Sequence, residues 1–348
     1  MPFPQLKTTD ISNTALDISK CLKLEDIVWI DVRTPKEYKK GHIPNAVNIP
    51  IFTNLEHSEV GKTYKEEGRE KAIDIGIEFA EKSKNEILRK INKLKDKKLM
   101  IYCARGGMRS EGFSIILFQE GKETNRVIGG YKAYRNHVLD SFDDQKKIII
   151  LGGKTGSGKT NIISALSLKK TQTLDLENIA NHRGSAFGDL GLGEQPTQQQ
   201  FENNLSMNWT KLNAKEPIII ESESRTIGRL VIPKGLWNQM ESAKYVFLDL
   251  ELDYRIKTIV DEYGDFTPNE LTERVQKIEK RLGGQISKKI IKMIQGNNYT
   301  EACRMLMNKY YDKPYTHSYE NRKSEKLTIT GNNQEEILRE FEKECLVY

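Results

Sequence analysis

Short apolar runs that end in polar or acidic residues recur along the chain, and each run predicts a buried β-strand. In the first part of the chain the runs are DIVWIDVR (26–33), AVNIP (46–50), KKLMIYC (97–103) and NRVIGGY (125–131). In the second part they are KKIIILGG (146–153), TQTLDLE (171–177), EPIIIESES (216–224) and KYVFLDLE (244–251). The predicted helices include TPKEYKKG (34–41), SEGFSIILFQEG (110–121) and NIISALSL (161–168). Strands that alternate with helices predict an α/β fold with mostly parallel sheets.

The polar segment HVLDSFDDQKK (137–147) separates the two series of strands and is the predicted domain boundary. We expect one parallel-sheet domain over residues 1–142 and a second α/β domain over 143–348, with helices towards its C-terminal end. The polar patch QPTQQQ (195–200) predicts a loop. Ligands of such sheets gather at the carboxyl ends of the strands.

The composition is that of a globular protein, because 37% of the 348 residues are hydrophobic and 30% are charged. No run approaches the roughly 20 apolar residues of a membrane-spanning helix, and the opening MPFPQLKTTD has no signal-peptide pattern. We therefore expect a cytoplasmic protein with no membrane partner. The formal net charge of +6 is mild, and it is compatible with an acidic partner such as RNA.

The four cysteines, Cys21, Cys103, Cys303 and Cys345, are widely spaced and form no CxxC pair. Neither a zinc site nor a disulfide is therefore expected. Cys103 differs from the others because CARGGMRS (103–110) joins a predicted strand to a predicted helix.

The loop after Cys103 has the composition of an anion-binding loop. Gly106 and Gly107 let the backbone curl, so that successive amides and the helix N-terminus can face one point. Arg105 and Arg109 add positive charge. These surroundings favour the thiolate, which is the nucleophilic form of cysteine. They also suit a persulfide, a selenosulfide or a tetrahedral oxyanion. A buried core cysteine flanked by surface arginines is the alternative.

The stretch IDVRTPKEYKKGHIPNAVNIP (30–50) resembles the first signature of the rhodanese family. Rhodanese domains carry sulfur or selenium on a loop cysteine, and the resemblance places that cysteine at Cys103. Within the signature, Asp31 and Arg33 are interpreted as structural residues.

The spacing from Cys103 to Arg109 is C-x5-R, one residue longer than in many sulfur-carrying rhodaneses. This spacing resembles the dual-specificity phosphatases of the cell-cycle type. Tyr102 stands where phosphatases often have histidine, and the first acid, Glu111, lies just beyond the loop. A wider loop also suits a larger anion such as selenophosphate.

A second phosphate-binding pattern is GGKTGSGKT (152–160), which matches G-x-x-x-x-G-K-[ST] between a predicted strand and a predicted helix. The predicted phosphate-binding residues are Gly153, Gly156, Ser157, Gly158, Lys159 and Thr160. Backbone amides would hold the phosphates, Lys159 would reach the outer ones, and Thr160 can hold Mg²⁺. The motif indicates a polyphosphate ligand and does not distinguish ATP, GTP and other diphosphates.

No dedicated metal site is predicted, although acids at strand ends are candidate partners for Mg²⁺. They are Asp175, Glu221, Glu223 and Asp249. A glutamate, Glu221, stands where a Walker-B aspartate usually follows the apolar run. This departure argues against ordinary ATP hydrolysis.

The chain as a whole resembles the tRNA 2-selenouridine synthases, in which a rhodanese domain precedes a P-loop domain. Further matching strings are VGKTYKEEG (60–68), GGYKAYR (129–135), DLENIANHRGSAFG (175–188), ESESRTIG (221–228) and YYDKPY (310–315). The resemblance therefore extends from about residue 26 to residue 315.

This resemblance implies action on 2-thiouridine at the wobble position of tRNAs for lysine, glutamate and glutamine. Geranyl diphosphate would first alkylate the sulfur, and selenium from selenophosphate would then displace the geranylated sulfur. Cys103 would carry selenium, assisted by Arg105 and Arg109, and the P-loop would hold the diphosphate of the prenyl donor or a tRNA phosphate. The two small molecules are co-substrates, no tightly bound cofactor is implied, and an enzyme that supplies selenophosphate is a further expected partner. The sequence does not locate an apolar slot for the geranyl chain.

Several basic residues are candidate contacts for tRNA or diphosphate: His182, Arg183, Arg225, Arg274, Lys277 and Arg281. His182 and Arg183 belong to HRGSAFG, and Arg225 is either a phosphate ligand or an ion-pair partner of Glu221 or Glu223. Residues 269–294 predict two helices, interrupted at GG, whose basic faces suit an RNA backbone or are ordinary solvated surfaces.

Two other functions remain open on the sequence. One is a phosphatase or sulfurtransferase fused to a P-loop kinase-like domain, which would turn over aryl phosphates or thiosulfate without tRNA. The other is a non-catalytic RNA-binding module whose tRNA binding would not depend on Cys103.

Overall fold

The computed structural model describes residues 15–94 and 97–346. This part of the chain forms two compact units. The first contains the described residues up to Ser141 together with Thr197–Met207, and the second contains Phe142–Pro196 and the residues from Asn208 onwards. Each unit is built on a five-stranded parallel sheet, so the predicted α/β fold class is confirmed.

The first unit begins with short strands and helices and contains one long helical pair. Its strands are β1 (Ala15–Leu16), β2 (Ile27–Asp31), β3 (Val47–Asn48), β4 (Lys98–Tyr102) and β5 (Thr124–Val127). Its helices are α1 (Ile18–Cys21), α2 (Pro35–Lys40), α3 (Asn54–Glu66), α4 (Arg69–Asn92), α5 (Met108–Gln119) and α6 (Gly130–Asp140). The strands lie in the order β1-β5-β4-β2-β3.

Local sequence signals explain where the helix α2 starts. Thr34 is its N-cap and accepts a hydrogen bond from the Glu37 amide, while the Glu37 carboxylate accepts one from the Thr34 amide. Pro35 occupies the first helical position, where a missing amide hydrogen costs nothing. This capping box leaves the second Glu37 oxygen free for another partner.

The second unit has two sheets and a larger set of helices. Its strands are β6 (Ile148–Gly153), β7 (Gln172–Leu174), β8 (Ile218–Glu221), β9 (Thr226–Ile227), β10 (Leu230–Val231), β11 (Lys244–Leu250) and β12 (Lys326–Gly331). The helices that follow α6 lie in the second unit, except for most of α9. They are α7 (Lys159–Leu168), α8 (Leu176–Ala180), α9 (Gln198–Trp209), α10 (Lys234–Ser242), α11 (Leu252–Tyr263), α12 (Pro268–Lys277), α13 (Glu279–Leu282), α14 (Gly284–Gln295), α15 (Tyr299–Leu306), α16 (Asp312–Glu320) and α17 (Gln334–Cys345). A 3₁₀ turn covers Ser141–Asp143, and a π-helical turn covers Met307–Tyr311.

The strand that carries the P-loop, β6, is central in the larger sheet, whose order is β12-β11-β6-β8-β7. All five strands of this sheet run parallel to one another. The carboxyl ends of β6, β7 and β8 therefore meet at one edge, and this brings Gly153 near the acids that follow β7 and β8. Strands β9 and β10 form a separate antiparallel pair.

The predicted basic helical pair at 269–294 is present as α12, α13 and α14. The interruption falls at Gly283, as the GG dipeptide predicted, and a further break at Ile278 separates α12 from α13. The apolar residues of these helices, among them Leu271, Val275 and Ile290, pack into one cluster with Phe187. Within residues 15–94 and 97–346, no helix is both long enough and apolar enough to cross a membrane.

The predicted loop at 195–200 is wrong from Gln198 onwards, where α9 begins. The hydroxyl of Thr197 accepts a hydrogen bond from the Gln200 amide and so caps the helix. Phe201 and Leu205, four residues apart, are fully buried. The polar glutamines concealed an amphipathic helix whose first ten residues belong to the first unit.

Candidate functional site

Cys103 lies directly after β4 in the first unit, at the start of the loop that leads into α5. Its side chain is only 3% exposed. The sulfur is 3.3 Å from the Ser110 hydroxyl oxygen and 3.8 Å from the Gly107 carbonyl oxygen. Ser110 in turn donates to that carbonyl at 2.9 Å. The thiol thus has a hydroxyl partner that the sequence analysis did not identify.

The backbone of the Cys103 loop is held by the start of α6. The Cys103 carbonyl accepts a hydrogen bond from the Tyr131 amide at 2.8 Å, and the Ala104 carbonyl accepts one from Lys132 at 3.0 Å. Gly130 makes this approach possible, because its φ is +55° and a Cβ there would lie 2.3 Å from the Cys103 carbonyl oxygen. The glycines of GGYKAYR therefore have a direct role in shaping this loop.

The two arginines of the loop differ in their surroundings. Arg105 is exposed to solvent. Arg109 instead forms a bidentate ion pair with Glu37 of α2, at 2.7 and 3.0 Å, and is 16% exposed. Burial raises the pKa of Glu37, but the hydrogen bond and charge of Arg109 outweigh it and lower that pKa to about 2.

A histidine that the sequence analysis missed lies beside this ion pair. His57 of α3 is half-buried. Its burial and the positive charge of Arg109 lower the pKa of His57, whereas the negative charge of Glu37 raises it by less. The only sequence signal for His57 was its position just before the string VGKTYKEEG.

Asp31 and Arg33, which the sequence analysis interpreted as structural residues, form a buried ion pair at 2.6 Å. The Arg33 guanidinium also lies 3.8 Å from the centre of the Tyr131 ring.

The helix α9 supports the Cys103 loop from the other side of α6. Asn203, fully buried, donates to the Tyr131 hydroxyl at 2.9 Å and to the His42 carbonyl at 2.8 Å. It also accepts from Arg135, which in addition pairs with Glu202. Tyr131 is the residue whose amide holds the Cys103 carbonyl, so Asn203 acts on the loop through one intervening side chain.

The P-loop has its predicted position between β6 and α7. Gly156 and Gly158 adopt φ angles of +77° and +71°, and Gly158 immediately precedes α7. The Lys159 ammonium donates to the Gly153 carbonyl at 3.3 Å, so it lies across the mouth of the loop. The hydroxyl of Ser157 is buried without a hydrogen-bond partner among the described residues. These groups are arranged to hold phosphate.

The four candidate acids have distinct environments. Asp175 caps α8 by accepting from the Asn178 amide, and Asp249 pairs with Lys154 at 3.1 Å. Glu221 is buried and accepts from the Glu177 amide. Glu223 lies in a cavity beside the P-loop together with Glu177, which was not predicted.

Burial raises the pKa of Glu223 to about 8, and the charge of Glu177 adds to this effect while Lys159 opposes it. Burial also raises the pKa of Glu177, and it raises the pKa of Glu221 well above its usual range. Thr160 lies 3.3 Å from a Glu177 oxygen, and such hard oxygen donors fit a diphosphate-bound Mg²⁺. Among residues 15–94 and 97–346, no group of three or more His, Cys, Asp or Glu side chains forms a metal cluster by itself.

The HRGSAFG segment contacts the Glu223 carboxylate through Gly184. Gly184 has a φ of +63°, and a Cβ there would lie 2.4 Å from the Glu223 carboxylate, so glycine is required. Arg183 pairs with Glu262 at 3.0 Å and donates to the Leu190 carbonyl at 2.7 Å. His182 accepts a hydrogen bond from the Gly184 amide. Both predicted contact residues therefore shape the turn, and Arg183 also lines the cavity.

A cavity of about 410 Å³ runs from the P-loop into the helices of the second unit. Its polar end is formed by Thr155, Gly156, Gly158, Lys159, Thr160, Glu177 and Glu223. Its apolar wall is formed by Phe187, Ile259, Val260, Leu271, Ile294, Ala302, Leu306 and Met307, with the aromatic rings of Tyr263, Tyr299, Tyr311 and Tyr315. The volume is in the range of about 300–1,000 Å³ that small-molecule sites occupy. Such a cavity suits a ligand with a phosphate head and an apolar tail.

The remaining predicted contacts have mixed surroundings. Arg274 is held by Asp189 at 2.7 Å and is 15% exposed, whereas Lys277, 3.6 Å from the same carboxylate, is 57% exposed. Arg281 and Arg225 are exposed. Arg225 forms no ion pair with Glu221 or Glu223 within the described chain, so that alternative for Arg225 is wrong.

Comparisons with known proteins cover nearly the whole chain. The family model described as "tRNA 2-selenouridine synthase AAA domain" matches residues 146–345, and the one described as "Rhodanese-like domain" matches residues 14–137. A tRNA 2-selenouridine synthase of Nitrosomonas europaea is 34% identical over 304 residues, 85% of this chain and 77% of that protein. Those of Pseudomonas syringae pv. tomato and a Sulfurovum species are 31% and 34% identical, each over 91% of this chain and over 94% and 95% of their own lengths.

Proposed function

The chain belongs to the tRNA 2-selenouridine synthase family, and from this premise we propose that it is a transferase that converts wobble 2-thiouridine in tRNA into 2-selenouridine in the cytoplasm. We propose two steps on one base, with an S-geranyl-2-thiouridine intermediate. The first step uses geranyl diphosphate in the second unit, and the second uses selenophosphate at Cys103 in the first unit. The tRNAs for lysine, glutamate and glutamine are the proposed substrates.

The cavity beside the P-loop carries this proposal, because its two ends match the two halves of geranyl diphosphate. The diphosphate would lie on the P-loop amides and Lys159, and Mg²⁺ held by Thr160 and Glu177 would neutralise its charge when bound. The prenyl chain would lie along the apolar wall, where each buried methylene contributes about 0.8 kcal/mol. A site built for ATP would not need this apolar extension.

The Cys103 loop supports the selenation step. The loop amides and the exposed Arg105 offer positive potential to a tetrahedral anion, and Ser110 is within hydrogen-bonding distance of the sulfur. The Glu37 carboxylate fixes the orientation of Arg109 and offsets its charge, so the exposed Arg105 is the side chain that offers positive charge to the anion. Alkylation makes the thiouridine sulfur a better leaving group. The selenium of selenophosphate at this loop would attack C2 of the base, and the C2–S bond would break as the geranyl thiol leaves with a proton. Water would then cleave the Se–P bond and release phosphate.

The test is reconstitution with tRNA that bears 2-thiouridine, geranyl diphosphate and selenophosphate, followed by mass spectrometry of the nucleosides. We expect 2-selenouridine from the wild type only when both small molecules are present. Cys103→Ser should accumulate S-geranyl-2-thiouridine, because the prenyl site is intact. Lys159→Ala should leave 2-thiouridine unchanged yet still selenate tRNA that was geranylated beforehand.

A matched control is Lys169→Ala, since Lys169 is an exposed lysine just after α7 that pairs with Glu342. It should behave as the wild type. Unchanged 2-thiouridine with folded wild-type protein and bound tRNA would overturn the proposal. Turnover of aryl phosphate or thiosulfate without tRNA would then favour the phosphatase or sulfurtransferase alternative.

A further inference from the structure

The string YYDKPY contributes two aromatic rings to the cavity, Tyr311 and Tyr315, and an ion pair fixes it to the P-loop. It spans the end of the π-helical turn Met307–Tyr311 and the start of α16. Asp312 forms a bidentate ion pair with Arg255 of α11 at 2.7 and 2.9 Å. Arg255 is 3% exposed and also donates to the carbonyl of the P-loop residue Thr155 at 3.1 Å. Single π-helical turns are uncommon and are often found at functional sites.

This anchoring determines where Tyr315 lies. Residues three apart on a helix share a face, so Tyr315 follows Asp312 towards the P-loop. Its ring centre is 5.6 Å from the Lys159 ammonium, which lies over the ring face. The ring also lines the cavity with Thr155 and Glu223 at the polar end. Tyr315 therefore lies where the phosphate end of the cavity meets its apolar wall.

The reacting carbon of an allylic diphosphate must lie at this same junction, a step that rests on the proposed function. That carbon is bonded directly to a diphosphate oxygen, and the rest of the chain extends away from it. During transfer the C1–O bond breaks and its electron pair leaves with the diphosphate. A sulfur lone pair forms the new S–C1 bond, the C2=S bond of the base becomes C2=N3, and the N3 proton passes to solvent. While the C1–O bond is breaking, positive charge develops on the allylic carbons.

We propose that Tyr315 is a catalytic residue of the prenyl-transfer step, whose ring face stabilises the positive charge that develops on the allylic carbons. An aromatic face attracts cations, and it does so most strongly when both partners are shielded from water. The face already points at a cation, the Lys159 ammonium. The charge exists only in the transition state, so the ring should raise kcat and leave substrate binding almost unchanged.

The experiment compares Tyr315→Phe with Tyr315→Leu in the geranylation half-reaction, with geranyl diphosphate and 2-thiouridine tRNA and no selenophosphate. Phenylalanine keeps the ring face and removes the hydroxyl, whereas leucine removes the ring. We expect Tyr315→Phe to keep kcat within about twofold of the wild type, and Tyr315→Leu to lower kcat about 10- to 30-fold at similar KM. Tyr310→Leu, two residues before Asp312 and outside the cavity lining, is the matched control and should keep kcat.

A second measurement separates the ring's role from a packing role. Geranyl diphosphate with fluorine at C2 destabilises positive charge on the allyl group and should slow the wild type. Equal kcat values for Tyr315→Leu and the wild type, or a Tyr315→Phe variant as slow as Tyr315→Leu, would overturn the role of the ring. If the wild type makes no geranylated tRNA at all, the proposed function fails first, and that result is seen before any Tyr315 variant is assayed.

Discussion

Glu37 contributes to two structures at once, because its carboxylate caps α2 and also holds Arg109 of the Cys103 loop. The first role was readable from the sequence, since Thr34 and Glu37 have capping-box spacing. The second was not, because 72 residues separate Glu37 from Arg109 and only the folded sheet brings them together. The sequence likewise places Cys103 and Arg105 in one loop, and their role in catalysis stays a prediction. It does not predict the contact of Ser110 with the sulfur, which depends on how the loop folds.

Replacing Glu37 with glutamine tests the ion pair separately from the cap, since glutamine can still accept the capping hydrogen bond. We expect Glu37→Gln to lower the free energy of unfolding at pH 7 by about 1–3 kcal/mol. The folded-state pKa of Glu37 is about 2, below its ordinary value of 4.5. The stabilisation is therefore complete above about pH 5 and is lost as the pH falls towards 2. The difference between wild type and variant, measured by urea unfolding, should shrink over that range.

The control for this prediction is Glu66→Gln, which removes an exposed pair with Lys62 at 3.9 Å. Such exposed pairs contribute little, so this variant should unfold almost like the wild type at every pH. A Glu37→Gln difference that stays constant from pH 6 to pH 3 would contradict the assigned role of the ion pair.

At the scale of elements, apolar runs predicted strands correctly, whereas amphipathic helices that begin with polar residues were not recognised from the sequence. Every strand predicted from an apolar run is present, although each is shorter than its run. Residues at both ends of the runs, such as Lys97, Glu223 and Glu251, lie outside the strands. The helix α9 was missed because its first turn reads QQQ, and its buried face is visible only from Phe201 and Leu205. Strand β12 was also missed, since it lies at the edge of the sheet and reads KLTITG.

The helix α9 gives a prediction about the Cys103 loop. Asn203→Ala removes hydrogen bonds to Tyr131 and the His42 carbonyl and leaves buried polar groups unpaired, at a cost of about 1–3 kcal/mol. Because Tyr131 holds the Cys103 carbonyl, the loop should open more often in this variant. We expect iodoacetamide to label Cys103 several-fold faster, as followed by peptide mass spectrometry, and selenation of geranylated tRNA to slow.

Lys211→Ala, at an exposed residue just after α9, is the corresponding control and should change neither rate. Labelling of Cys103 at the wild-type rate in Asn203→Ala, together with unchanged selenation, would show that α9 does not support the loop.

At the scale of the whole molecule, each unit carries one strand-to-helix loop for which the sequence predicts anion binding. The two phosphate-binding loops could be predicted because each is a short contiguous motif after a strand. The apolar cavity could not, because its wall combines the HRGSAFG segment with α11, α12, α14 and α15, which follow only from residue 252 onwards. Each of these four helices reads by itself as an ordinary amphipathic helix. The proposed division of the chemistry between the two units can be tested through the order and the independence of the two steps.

Two inactive variants should complement each other if each unit performs a separate step. Cys103→Ser has an intact prenyl site and should produce S-geranyl-2-thiouridine tRNA, whereas Lys159→Ala has an intact Cys103 loop and should consume it. We expect neither variant alone to form 2-selenouridine from 2-thiouridine tRNA, and a mixture of both to form it. The rate in the mixture should rise with the concentration of either protein, because the tRNA must leave one molecule and bind another. Nucleoside mass spectrometry over time measures the rate of 2-selenouridine formation directly.

The double variant Cys103→Ser/Lys159→Ala is the control for this mixing experiment. Mixed with either single variant, it should form no 2-selenouridine, since it supplies neither missing step. If Cys103→Ser accumulates geranylated tRNA and the mixture still forms no 2-selenouridine, the steps are not independent, and the base must pass from the P-loop unit to the Cys103 loop within one molecule.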